Sequence, residues 1–167
     1  MSEVFYKGFG TSALDSKGRF VMPANFRVDL RKSCVVETRI QLRYEDDMPY
    51  LSVFGDAELA EFRRDSEERT RIMRDRGEDF DRVAFDAARS MGTEEITLDS
   101  GGRFAIDRDV RETVGITDGI IVTGADRFIQ LWDPTVFLEK GTKNAVVEKR
   151  VRRFMAELDE KRKARGQ

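Results

Sequence analysis

Apolar and polar positions alternate in short runs along much of the 167-residue chain, with helical spacings in the middle and at the end. Phe9 to Leu14 and Glu95 to Leu98 read as strands, and each runs into an Asp-Ser-x-Gly turn. In both turns the aspartate (Asp15, Asp99) can accept hydrogen bonds from backbone N–H groups two or three residues on. The glycine (Gly18, Gly102) supplies the left-handed conformation that reverses the chain. Phe20 and Met22, like Phe104 and Ile106, then share one face of a returning strand. Short helices are predicted over Ala24 to Leu30 and Arg108 to Val114, with Gly115 as a stop. Val35, Ile40 and Leu42 continue as a strand, as do Ile120, Ile121 and Val122; Gly124 to Arg127 reads as the hairpin turn before a strand at Phe128.

The pattern occurs twice because the sequence does. Leu14 to Arg27 aligns with Leu98 to Arg111 at seven identical positions of fourteen, and Tyr50 to Asp56 resembles Phe128 to Asp133. A helical pattern follows each copy, with Asp133 and Pro134 suited to the N-cap and first helical position. One hairpin unit is too small to close its own core. Two interleaved copies bury one, which predicts a β-rich α+β pseudo-dimer.

Between the copies, Leu59 and Phe62 share a helical face, Phe80, Ala84, Ala87 and Ala88 follow helical spacing, and Gly77 separates two helices that cover one end of the sheet. At the end, Val147, Val151, Phe154 and Leu158 form the apolar stripe of a helix whose other faces carry Lys149, Arg150, Arg152 and Arg153. The closing Lys161 to Arg165 cluster reads either as a frayed, solvated tail or as an arm that touches DNA. The expected units are residues 4–56, a connector at 57–91, a second module at 92–138 and a basic tail at 139–167.

Composition narrows the chemistry. The chain has no histidine and a single cysteine, Cys34. That excludes imidazole bases, Ser-His-Asp triads, His-ligated metals, CxxC redox pairs and internal disulfides. Cys34 reads as a small apolar side chain. No stretch reaches the ~18 apolar residues of a membrane span, and the N-terminus lacks a signal-peptide run, so a soluble intracellular protein is expected. The net charge of −2 hides an uneven distribution. Residues 1–43 carry eight Lys/Arg against four Asp/Glu, 56–90 a net of −3, 91–138 a net of −5, and 139–167 a net of +5. A basic first module and tail around an acidic centre would suit an anionic partner, though solvated faces give the same count.

The duplicated motif carries a family resemblance. Asp15-Ser-Lys-Gly-Arg19 with Phe20-Val-Met-Pro23, and Asp99-Ser-Gly-Gly-Arg103 with Phe104-Ala-Ile106, are similar to the paired D-x-x-x-R signatures of the MraZ regulators. Val122 to Asp133 is similar to that family's closing segment, and the match spans about Val4 to Leu138. Asp107 departs from it, standing where the family carries the proline seen at Pro23. The resemblance implies two AbrB-like (SpoVT-AbrB) swapped-hairpin modules forming a pseudo-dimeric β-barrel with peripheral helices. It implies a ring-shaped homo-oligomer on double-stranded DNA, bound at short G-rich direct repeats upstream of the division and cell-wall gene cluster. It also implies autoregulation, mostly as a repressor, in the cytoplasm with the nucleoid, with no catalytic residue, cofactor, metal or membrane.

Arginine pairs bidentately with guanine O6 and N7, so Arg19, and Arg103 in the acidic module, are candidate base readers for a G-rich site. Lys7, Lys17, Arg27 and Arg31 are candidate phosphate contacts. Asp15, Gly18, Asp99 and Gly102 structure the turns. The opposing reading is a local Asp–Arg ion pair that fixes each turn and keeps its arginine from DNA. Two further classes compete: an antitoxin-like AbrB module whose partner is a protein, and a carboxylate-metal nuclease on Asp15 and Asp99, disfavoured by the lack of clustered acids.

Overall fold

Each copy of the repeat folds as a strand, a tight turn, a two-residue strand, a helix, two further strands and a closing helix. The computed structural model describes residues 4–166. The first copy comprises β1 (Phe9–Ala13), β2 (Phe20–Val21), α1 (Ala24–Lys32), β3 (Arg39–Arg43), β4 (Leu51–Phe54) and α2 (Asp56–Asp75). After α3 (Arg82–Met91), the second comprises β5 (Thr93–Thr97), β6 (Arg103–Phe104), α4 (Arg108–Thr113), β7 (Gly119–Gly124), β8 (Ile129–Trp132) and α5 (Pro134–Lys140). The chain ends in α6 (Ala145–Ala164).

The architecture is mixed α+β around an antiparallel sheet of order β1-β7-β8-β4-β3-β5. Exchanging the two copies merely reverses this order. The first strand of each copy pairs with the third strand of the other: Phe9 faces Thr123 in β1–β7, and Thr93 faces Arg43 in β5–β3. β4 and β8 meet in the middle, and β2 pairs with β6 as a separate ribbon in which Phe20 faces Phe104. Among the described residues the strands form an open sheet plus this ribbon, which corrects the expected closed barrel. β2 is too short to extend a ladder to β1, and Val21 N–H instead donates to the Ser12 hydroxyl at 2.8 Å.

Alternation along the strands gives the sheet two buried faces. Ile40, Leu42, Leu51, Val53, Ile120, Val122, Ile129 and Leu131 pack against Phe20, Met22, Phe26, Leu30 and Phe104 from the ribbon and α1. On the opposite face, Ile121, Trp132 and Phe137 pack against Val151, Phe154 and Leu158 of α6. The tail is therefore no frayed appendage. Asn144 caps α6 by accepting from the Val146 and Val147 N–H groups, and Arg162 grips Asp118 with Nε and Nη2, both at 2.6 Å. Gly119 permits the close approach: a Cβ there would fall 2.6 Å from a Leu158 methyl.

Two smaller expectations are corrected. Phe80 precedes α3, because Asp81 caps that helix by accepting from Ala84 N–H, and its ring packs on Phe85 at 5.4 Å. Val35 is exposed and outside the strand; its N–H donates to Asp56 at 2.7 Å, and β3 begins only at Arg39. Gly77, with φ of +69°, does separate α2 from α3. Among the described residues no helix is long and apolar enough to cross a membrane.

Phe154→Ala is expected to cost about 3 kcal/mol, the lower part of the range for burying and then deleting a phenyl ring. Denaturant unfolding gives the loss, and Trp132, the sole tryptophan, reports directly on this core. A loss under about 1 kcal/mol would mean that α6 is not docked.

Candidate functional site

The two Asp–Arg turns are the same structure built twice. In the first, Asp15 Oδ1 accepts from the N–H groups of Lys17 (2.9 Å) and Arg19 (2.8 Å), while Oδ2 accepts from Arg19 Nε at 3.0 Å. Asp15 N–H donates to Arg19 O at 2.8 Å, and Gly18 completes the reversal with φ of +75°. In the second, Asp99 Oδ1 accepts from Gly101 and Arg103 N–H, Oδ2 accepts from Arg103 Nε at 2.8 Å, and Gly102 has φ of +79°. Backbone N–H donors, with the arginine side chain, hold both carboxyls below the ordinary carboxylate range; the largest single cause is the N–H of Arg19 for Asp15 and of Arg103 for Asp99.

The ion pair leaves part of each guanidinium unengaged. Each carboxylate takes only the Nε edge, and among the described residues the Nη groups of Arg19 and Arg103 receive no hydrogen-bond partner. A guanidinium anchored by Nε has a restricted direction and keeps its terminal fork free. Lys17 is exposed on the same turn as Arg19.

The other basic candidates are placed differently. Arg27 Nη1 donates to Gly101 O at 2.9 Å, and Arg31 Nη2 donates to Asp99 O (2.8 Å) and Ser100 O (3.2 Å). Both arginines come from α1 of the first copy, yet they brace the turn of the second. That contact rests on the exchange of strands between copies, which has no signature in local sequence. Gly102 is buried beneath this brace, and a Cβ on it would meet Arg27 Nε at 2.8 Å; at Gly18 the same space is empty. Lys7 lies at the opposite end of β1 from its turn, beside Gly124 and the Tyr6–Asp126 bridge.

One basic group near the first turn comes from the tail. Leu14 N–H donates to Asp118 O at 2.8 Å, and Asp118 is the residue held by Arg162. The end of α6, with exposed Lys161, Lys163 and Arg165, is thereby brought toward the Asp15–Arg19 turn. The Lys161–Arg165 cluster was visible in sequence; the Asp118 anchor that places it was not.

A duplicated α+β scaffold that presents one Asp-ordered arginine turn per copy defines a tandem-repeat protein. Similar proteins give this class a family. The chain is 34% identical over 130 residues to a transcriptional regulator MraZ from Frankia alni, covering 77% of this chain and 80% of that protein. The same figures hold for the MraZ of a Parafrankia species, and a Mycobacterium ulcerans MraZ is 28% identical over 134 residues, covering 80% and 85%. No family model matches. The chain belongs to the MraZ family of transcriptional regulators, a group defined by regulation of transcription rather than by catalysis.

Gly18→Ala is expected to cost about 1 kcal/mol for a strained left-handed alanine. Gly102→Ala should cost roughly 1 kcal/mol more, since Arg27 must move and lose its carbonyl bond. Urea unfolding of the two variants checks the order. Equal losses would mean that the brace contributes nothing.

The two carboxyls also set an acid dependence. Their folded values are lowered, so the stabilisation they give is complete above the unfolded aspartate value of about 3.9 and disappears as pH falls below it. An Asp15→Asn/Asp99→Asn chain should be less stable than the natural chain at neutral pH, with the gap closing toward pH ~3. Urea midpoints across that range are the measurement, and a gap independent of pH would refute the assignment.

Proposed function

We propose that this chain binds double-stranded DNA in a sequence-dependent manner and represses transcription from its own upstream region. The observation that carries this reading is the Arg19 guanidinium, fixed by Asp15 through Nε and left with a free Nη fork on an exposed turn. Such a fork matches the O6/N7 edge of guanine, which accords with short G-rich direct repeats upstream of the division and cell-wall gene cluster as the target. Arg103 offers the same edge from the second turn. Lys17 and the end of α6 supply phosphate contacts beside the first turn. Arg27 and Arg31 act chiefly by holding the second turn in shape and by giving it positive charge that its own module lacks. Lys7 contributes a phosphate contact at the far end of β1.

The palindromic strand order supports an AbrB-like pseudo-dimer of swapped hairpins. A ring assembly needs two unlike surfaces that fit head to tail. Val83 and Met91 on α3, 80% and 81% exposed, offer one apolar surface, and Val28, Val35 and Val36 near the end of α1 offer another. Few contacts per turn make single-site binding weak and salt-sensitive, while adjacent subunits on tandem repeats gain from high effective concentration. Residence with the nucleoid follows from that binding.

Titration of the protein's own upstream region by mobility shift tests the reading at fixed salt. Arg19→Ala should weaken specific binding by about 1–3 kcal/mol, whereas Lys17→Ala should mainly lower the salt slope by about one. A single repeat bound as tightly as the array would remove the oligomeric argument. No sequence-dependent binding by the natural chain would favour a protein partner, as in antitoxin-like relatives of the fold.

A further inference from the structure

The two halves of the sheet diverge at one buried position. By ladder register, Arg43 of β3 occupies the place of Thr123 in β7, and Thr93 occupies that of Phe9. In the second half Thr123 bonds to Gln130 Oε1 at 3.2 Å, and Phe9 packs into the core under α6. In the first half the exchange leaves a cavity of about 390 Å³ beneath α2 and α3, lined by Arg43, Phe62, Ser66, Arg82, Asp86 and Arg89 among others. The fold therefore does not require an arginine here.

Arg43 is 6% exposed, yet among the described residues it forms no ion pair. Its Nε donates to Thr93 Oγ1 at 2.9 Å, and its Nη groups take no protein acceptor. The guanidinium carbon lies 4.9 Å from the ring centroids of both Phe54 and Phe62, which are 5.0 Å apart. This near-equilateral triangle puts both rings to one side of the cation. Arg89 rests on Phe62 and Phe85 at 5.1 and 5.4 Å, also without an ion pair. The nearby acids are engaged elsewhere: Asp86 accepts from Ser66 Oγ at 2.6 Å and from Arg82 Nε at 3.1 Å, and Arg82 also reaches Glu67 at 3.6 Å. Burial and the charge of Arg89 pull the Arg43 guanidinium down to about 10, which Glu45 only partly offsets. Stacking on phenyl rings satisfies the face of a guanidinium but not its in-plane donors. The Nη donors of Arg43 are not sealed off but open onto the cavity, where two unpaired guanidinium groups together favour an anion.

We propose that this cavity binds a small organic oxyanion, a carboxylate or phosphate ester with an apolar body. The oxyanion bridges the guanidinium groups of Arg43 and Arg89, and the body lies on Phe62 and Leu59. Arginine forks suit planar carboxylate and phosphate edges, and the volume falls within the range of small-ligand sites. The site is separate from the DNA-binding reading, since Thr93 and the Asp99 turn lie at opposite ends of β5.

Calorimetric titration of the full chain with phenyl phosphate, benzoate and inorganic phosphate, at constant ionic strength, tests the proposal. Phenyl phosphate is expected to saturate one site and to bind more tightly than inorganic phosphate. Arg89→Gln should weaken it at least about tenfold, as loss of a charge-assisted bond does. Arg43→Gln should do the same, and Arg152→Gln on the exposed face of α6 should change nothing. Should Arg43→Gln fail to fold, Arg89→Gln decides alone. No saturable binding of any probe at millimolar concentration, or binding unchanged in Arg89→Gln, overturns the site. Equal affinity for inorganic and phenyl phosphate overturns its organic character.

Discussion

Neither repeat keeps its first strand at home. Among the described residues β1 has its only ladder in β7 and β5 has its only ladder in β3, so each copy completes the sheet of the other. The chemistry of single hairpins makes this exchange necessary: two or three short strands expose more apolar face than they can cover. Once the strands are exchanged, the turn between β1 and β2 follows an edge strand held by β7 of the second copy, and the turn between β5 and β6 follows one held by β3 of the first. Phe20 and Phe104, with ring centroids 6.1 Å apart, close the point where the two returning strands meet. Loss of either ring therefore removes a contact shared by both returning strands.

The exchange also redistributes charge. Read along the chain, the first module is basic and the second acidic. In space, Arg27 and Arg31 leave the first module's account and sit on the carbonyls of the second module's turn. Arg162 of the tail is committed to Asp118, next to the strand that feeds the first turn. The local field at each turn is thus set by residues distant in sequence, and module sums describe neither turn. The two turns share one hydrogen-bond pattern but differ in freedom: one is open around Gly18, the other is packed under Arg27.

The parts legible in sequence were those encoded within a few residues. The Asp-Ser-x-Gly pattern announces its own hydrogen bonds, and both glycines adopt the left-handed conformation that the turn demands. The duplication, the helix after each copy and the break at Gly77 were equally local. What escaped was contact between remote segments. Nothing near Arg27 says that its acceptor is Gly101, so a cation on a helix face reads as a phosphate contact. Val151, Phe154 and Leu158 announce a buried stripe, but its receiving surface of Ile121, Trp132 and Phe137 depends on which face of β7 and β8 remains uncovered. Arg43 was the least visible of all. In an alternating strand it takes a position that reads as solvent-facing, and only the overlying α2–α3 hairpin makes that face an interior.

That last residue shows how duplication allows divergence. The sheet face away from the ribbon is covered on one half by α5 and α6 and on the other by α2 and α3, so the connector and the tail are structural counterparts. The tail half was filled with phenylalanine and tryptophan, and it contributes stability. The connector half holds a stacked, buried arginine above an unfilled volume, an arrangement that replacement by well-packed apolar side chains would stabilise. With the sheet register and the Asp–Arg turns secured by the exchanged strands, a stability deficit on one cover does not propagate to the turns. A scaffold anchored by its own twofold redundancy can keep one half tightly packed and leave the other polar and hollow.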